Sequence, residues 1–326
     1  MNDKILSFGE IMLRLTPPSH GLISEARSFD ACYGGTESNV LVCLSCLGHK
    51  TEYITALPAD DLGDATVKHL RSYGVETGHI IRSGDRMGLY FLEEGQGERA
   101  TKVVYMRKGS EASKLDADAF NLDEIFEGCS LFHISGISFA ISEGAKRLSF
   151  QLLKEAKRRN IPVSFDFNYR GKLWSIEEAS EVYKEIINYV DIVFCAEKDL
   201  TTFLGTNRER FHSEFACPML IVRERQWLSD SKCAVSLYAS HKTDNGIASF
   251  CIENTEFSAY EKIGSGDAFA AGVLHILSEN INNIEDALRW GLGCFVLKHS
   301  QRGDVLSQSK SAIETYITNF SKDVSR

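Results

Sequence analysis

No stretch of this chain reaches the about 18 uninterrupted apolar residues that a membrane-crossing helix needs, so no span is expected. An apolar leader is missing too. Met1-Asn2-Asp3-Lys4 opens directly into a strand pattern, and no signal peptide is expected. Basic excess is absent: 36 Lys and Arg residues face 45 Asp and Glu, for a net charge of −9. That balance disfavours nucleic acid as a partner, since phosphate backbones select basic faces. A disulfide framework is lacking as well. Nine cysteines are scattered along 326 residues, an odd count that fits reduced thiols and a cytoplasmic location. The close pair Cys43-Leu-Ser-Cys46 sits in an apolar helical run without a second pair or zinc-type histidine spacing, and reads as core packing. Several catalytic signatures are absent: a P-loop, an HExxH zinc helix and a GxSxG nucleophile elbow. Gly264-Ser265-Gly266 does not continue as GxGxxG, because Phe269 stands where the third glycine belongs, so a dinucleotide fingerprint is not supported.

What is present is a 43% hydrophobic chain, enough to bury a large core, in which strand and helix patterns alternate. Short apolar strands are expected at 4–8, 52–57, 131–134, 162–167, 191–195, 219–222 and 233–238. Helices are expected over 38–47, 64–73, 142–159, from a Ser175-Ile-Glu-Glu178 capping box to about 189, and over 266–278, 284–299 and 312–320. Such β–α repetition implies an α/β fold, a mostly parallel sheet covered by helices on both faces, with ligands beyond the carboxyl ends of its strands. No linker, repeat or low-complexity run divides the chain, which is read as one domain over 1–326. Two segments, about 11–35 and 86–107, break the alternation with short polar-sided strands. They read as a small β-sheet lid over the sheet ends, or as two surface hairpins. Exposed edges on such a lid would suit a homodimer.

Chemistry concentrates in four places. Gly264-Ser265-Gly266-Asp267 is a glycine turn running into a helix of small residues, which offers backbone N–H groups to an anion beside a carboxylate. That pairing suits phosphoryl transfer to a hydroxyl. Tyr33-Gly34-Gly35-Thr36-Glu37-Ser38-Asn39 is a second glycine turn before a helix, with Asn39 able to donate and accept to vicinal hydroxyls. Gly88-Leu89-Tyr90 and Tyr105-Met106-Arg107 put aromatics and an arginine on strand faces that could clamp a carboxylate-bearing molecule. Asp166-Phe167-Asn168-Tyr169-Arg170 is a polar cluster at a strand end. Each also has a plain structural reading: a helix start, a strand-to-helix turn, a solvated arginine, a salt bridge.

Together, in this order, the motifs resemble the ribokinase-like sugar kinases of the phosphofructokinase-B group, over nearly the whole chain. Within it the 2-keto-3-deoxygluconate kinases are the nearest likeness. The residues that carry it are Gly9-Glu10-Ile-Met-Leu-Arg14, Gly34-Gly35…Asn39, Gly88-Leu-Tyr90, Tyr105-Met-Arg-Lys-Gly-Ser110, His133-Ile-Ser-Gly-Ile137, Asn168-Tyr-Arg170…Leu173-Trp174-Ser175, Gly264-Ser-Gly-Asp267 and Arg302-Gly-Asp304. The resemblance implies a Rossmann-like αβα sandwich with a β lid, and transfer of the ATP γ-phosphoryl group to a sugar hydroxyl with Mg²⁺. It implies Asp267 as base and the N–H groups of Gly264, Ser265 and Gly266 as anion hole. Gly34, Gly35, Asn39, Tyr90, Tyr105, Arg107, Arg170 and Asp304 would hold a sugar acid. Asn168, Arg223, Gly264 and Gly266 would meet the nucleotide. The chain departs from the family at Glu261, where Asp is usual; at Ala196-Glu197-Lys198-Asp199, in place of Asn-x-x-Glu; and at Val222-Arg223-Glu224-Arg225, where a glycine loop is missing. Metal ligands are therefore left unassigned. A kinase for a neutral sugar such as fructose or ribose, or a non-catalytic sugar-acid binder on the same scaffold, are the rival expectations.

Overall fold

A computed structural model describes residues 3–324. Strands β1 (Lys4–Phe8), β4 (Lys50–Leu57), β5 (Ile80–Arg82), β8 (Cys129–Ser135), β9 (Val163–Asp166), β10 (Ile192–Cys195), β11 (Met219–Ser229), β12 (Lys232–Thr243) and β13 (Gly246–Ser258) build one sheet. Their order is β13-β12-β11-β10-β9-β8-β1-β4-β5. It is parallel from β11 to β5 and antiparallel at β11–β12 and β12–β13. Strands β2 (Met12–Thr16), β3 (Asp30–Gly34), β6 (Leu89–Glu93) and β7 (Lys102–Met106) form a second sheet, ordered β3-β2-β6-β7. The larger helices are α1 (Thr36–Cys46), α2 (Asp61–Ser72), α3 (Glu143–Arg158), α4 (Ile176–Ile186), α5 (Ser265–Leu277), α6 (Ile284–Lys298) and α7 (Lys310–Val324).

Each inner strand is apolar throughout because both of its faces are covered. Alternate residues enter different cores. Ile5, Tyr53, Ile192 and Phe194 pack with α1, α5 and α6, whereas Leu6, Ile54, Phe165 and Val193 pack with α3 and α4. Phe165 is fully buried, and its truncation to Ala would cost about 3–5 kcal/mol. Helix starts follow local chemistry. The Asp60 side chain accepts from the N–H groups of Leu62 and Gly63 at 3.0 Å each, which begins α2 three residues before the expected position. The Ser175–Glu178 capping box is formed. Of the close pair, Cys43 is buried and Cys46 half-buried, and all nine cysteines are free thiols. Among the described residues no helix is long and apolar enough to cross a membrane.

Three strands at one edge of the sheet differ from the expectation. β11 runs on past Val222 through Arg223-Glu224-Arg225, and β12 continues to Thr243. Charged residues on this partly exposed extension carry no apolar alternation, which hides the strand from sequence reading. β13 is an edge strand with most of its residues exposed, and was missed for the same reason.

Candidate active site

Glycine turns and strand ends converge on a cleft of about 1310 Å³ between the two sheets. The carboxyl ends of β9 and β10 form its floor, the second sheet its roof, and the start of α5 one wall. At α5, Gly264 has φ +76, a conformation that glycine adopts freely. A Cβ there would lie 1.8 Å from the Asp304 carbonyl oxygen. No side chain caps this helix start, which borders the cleft, so its first N–H groups are left without a side-chain acceptor and could donate to an anion there. Asp267 follows on the first turn, half-buried.

The Asp267 carboxylate is held from α1. Asn39 Nδ2 donates to Oδ2 at 2.7 Å and Thr36 Oγ1 to Oδ1 at 2.5 Å. Asn168 Nδ2 in turn donates to Thr36 Oγ1 at 2.6 Å. A hydroxyl has one proton, so this relay aims the Thr36 proton at Asp267. Burial raises the Asp267 pKa, and the two hydrogen bonds counter it. Lone pairs on both oxygens remain able to accept a further hydrogen bond. Asn39, expected to meet sugar hydroxyls, lines the cleft; its amide nitrogen also holds Asp267, and its oxygen accepts from the Gly35 N–H at 3.4 Å.

At the other end of the cleft lie Tyr90, Tyr105, Arg107 and Arg170. Tyr90 and Tyr105 are cross-strand partners with ring centroids 5.9 Å apart. Arg107 pairs with the buried Glu10, which also accepts from Ser110 Oγ. The Arg107 Nε atom is buried without a hydrogen-bond partner. Asp304 borders the cleft but is committed elsewhere. Its Oδ1 accepts from Arg14 Nη1 at 2.7 Å and its Oδ2 from Tyr90 Oη. Arg14 also donates to Glu261 at 3.3 Å. Glu261 accepts from the Lys262 and Ile263 N–H groups at 2.9 and 3.1 Å, directly before the glycine turn. A Cβ on Gly34 would sit 2.1 Å from Asp304 Oδ2. Asp304 thus pins the end of β3 and the α5 turn to one another. Burial raises its pKa, and Arg14 opposes that.

On the third side, Asp166, Lys198, Asp199, Arg223 and Lys262 line the cleft. Arg223 stands beside Gly266, where a Cβ would lie 3.0 Å from Nη2, and over the Phe269 ring at 5.7 Å. Burial pushes Asp166 up to about 7, against the pull of Arg223. Asp199 is raised by burial too, while its carboxylate accepts from the Ala196 N–H at 3.0 Å.

All of the sequence-derived site residues therefore border one cleft. Sequence reading missed three of its parts. Thr36 was hidden as an ordinary first-turn residue, although its position directly after two glycines was a signal. Arg14 and Thr16 face inward while Leu13 and Leu15 are half-exposed, which inverts what the apolar alternation of β2 suggests. Glu10 showed only as part of a motif.

Residues 2–310 match the family described as pfkB family carbohydrate kinase. The chain is 29% identical to a 2-dehydro-3-deoxygalactonokinase of Haloferax volcanii, with 100% of both chains covered. It is 26% identical to a 2-dehydro-3-deoxygluconokinase of Bacillus subtilis, covering 92% of this chain and 90% of that one. The crystal structure of a 2-dehydro-3-deoxygluconokinase from Thermotoga maritima superposes with a TM-score of 0.90 at 31% identity, covering 97% and 99% of the two chains.

Proposed function

This chain belongs to the pfkB family of carbohydrate kinases, and from that premise we propose that it phosphorylates a hydroxyl of a 2-keto-3-deoxy sugar acid at the expense of ATP. The observation that carries the reading is the Asp267 carboxylate, oriented by Thr36 and Asn39 beside the open N–H groups of α5, in the same cleft as Arg107 and Arg170. Two arginines suit an acid substrate, because a neutral sugar has no carboxylate for them to bind. The relatives named for such acids support it.

The sugar acid would lie under Tyr90 and Tyr105 with its carboxylate toward Arg107 and Arg170. One hydroxyl then faces Asp267. As that oxygen attacks the γ-phosphorus, the bond to the bridging β-phosphate oxygen breaks and ADP leaves, while Asp267 takes the hydroxyl proton, a contribution of about 10²–10⁴-fold. The N–H groups at Gly264–Gly266, with Arg223 and Lys262 nearby, receive the charge that moves onto the transferring group. The second sheet acts as a lid that excludes water from the phosphoryl group.

The donor side fits a nucleoside triphosphate with Mg²⁺: α5 presents uncapped N–H groups, and Asp166, raised to about 7, is a carboxylate whose ionised form a dication would stabilise. Asp166 and Asp199 would hold Mg²⁺, which when bound neutralises charge on the phosphoryl oxygens.

One observation favours a second reading. Glu10 already neutralises Arg107, which suits a neutral sugar whose hydroxyls bond to both groups. A coupled ADP-release assay over keto-deoxy, aldonic and neutral sugars separates the two. The highest kcat/KM is expected for a keto-deoxy acid; a preference for fructose or ribose overturns the first reading.

A further inference from the structure

Helices α1 and α5 pack along one another with both N-termini at the cleft. Their opposite ends also meet. His275, near the end of α5, is eight residues beyond Asp267, about 12 Å along the helix. There its Nδ1 lies 2.6 Å from Nε2 of His49, which follows α1. A carboxylate oxygen of Glu279 completes a cluster whose three ligand atoms all fall within 4.8 Å of one another. His275 is buried, His49 half-buried and Glu279 exposed, so the group opens to solvent on one side. The Trp290 ring packs against His275 in a tilted contact, centroids 4.5 Å apart. None of these residues lines the cleft.

We propose that His49, His275 and Glu279 bind a transition-metal dication of the zinc class, at a site separate from the kinase centre. Two imidazoles and one carboxylate are the donor set that such ions take, with a fourth position left for water. Mg²⁺, which prefers all-oxygen shells, is not suited to it. The close N···N contact is a hydrogen bond that the ion replaces. Nitrogens bound at about 2.0–2.1 Å to a tetrahedral ion stand roughly 3.3 Å apart, a separation that a small rotation of half-buried His49 supplies. The imidazole that now donates keeps its single proton on its other ring nitrogen, so the exchange needs no net proton loss. Lys310, over the Trp290 ring at 5.8 Å, opposes a dication, whereas the Glu279 carboxylate attracts one.

Full-length protein stripped with a chelator is titrated with Co²⁺ alone. The expected result is one equivalent bound per chain, with visible d–d bands, no thiolate charge-transfer band, quenched Trp290 fluorescence and a raised melting temperature. His49→Gln and Glu279→Gln change accessible side chains and should weaken Co²⁺ binding at least about tenfold, the lower bound for outer-shell partners of metal sites. Lys310→Met should tighten it, an effect that a purely structural histidine pair would not show. A thiolate band, or an affinity unmoved in both His49→Gln and Glu279→Gln, overturns the proposal. So does the absence of stoichiometric binding.

Discussion

Arg14→Met tests whether the buried network beneath the glycine turn holds the site together. Arg14 is 4% exposed and Asp304 3%, and their 2.7 Å pair is joined by Glu261 at 3.3 Å. Removing the guanidinium strands two buried carboxylates. Breaking a buried pair in this way costs about 3–5 kcal/mol. With an unfolding entropy of about 2.1 cal/mol/K per residue, a chain of this length should melt about 4–7 °C lower at pH 7. The pH dependence follows from Asp304. A carboxylate with a raised folded pKa is stabilising below its unfolded value of about 3.9, and that stability is lost as pH rises through the folded value. Burial raises the Asp304 pKa and Arg14 restrains the rise. Without Arg14 the folded value climbs further, so the variant should lose most at neutral pH and approach the parent as pH falls toward 5. Thermal unfolding of both proteins across pH 5–8 makes the measurement. A variant that melts within a degree of the parent at pH 7, or a deficit that does not shrink in acid, would refute the reasoning.

Other perturbations address the cleft itself. Arg107→Met combined with Glu10→Gln, which avoids leaving a stranded carboxylate, should raise KM for a keto-deoxy acid about 10- to 150-fold. That is the equivalent of about 1.5–3 kcal/mol for a charged hydrogen bond, while KM for a neutral sugar should barely move; equal changes for both would remove Arg107 from the carboxylate site. Asp166, raised to about 7 by burial, should make apparent Mg²⁺ affinity fall as pH drops through about 7, since protonation removes the ligand charge. In Asp166→Asn that pH dependence should disappear and the Mg²⁺ requirement should rise, and an unchanged pH profile would exclude Asp166 as a ligand. Thr36→Val removes the relay from Asn168 to Asp267. It should lower kcat about tenfold or more with little effect on sugar-acid KM, and a change confined to KM would argue against a positioning role.

Much of the fold was legible because its inner strands are buried on both faces and its helices carry clear caps, as at Ser175. β13 was not, since an exposed edge strand has no apolar period to read. The glycine turns at Gly34 and Gly264 were visible as turns, but the reason for them was not. Both make room for Asp304, which is distant in sequence. Residue types likewise did not reveal the partners the chain itself supplies. Asn39 bonds to Asp267, and Asp304 to Arg14 and Tyr90, contacts that only tertiary structure creates. Arg14 closes the Gly9-Glu10-Ile-Met-Leu-Arg14 stretch, yet its inward face could not be told from a strand whose leucines alternate with it.

The proton acceptor is the point on which the catalytic account turns. Asp267→Asn keeps the shape of the side chain and removes its basicity, so single-turnover phosphoryl transfer from ATP to a keto-deoxy sugar acid measures the loss directly, with calorimetry reporting sugar-acid binding in parallel. The rate should fall by about 10²–10⁴-fold with sugar-acid affinity nearly unchanged. A transfer rate within a few fold of the parent would contradict it.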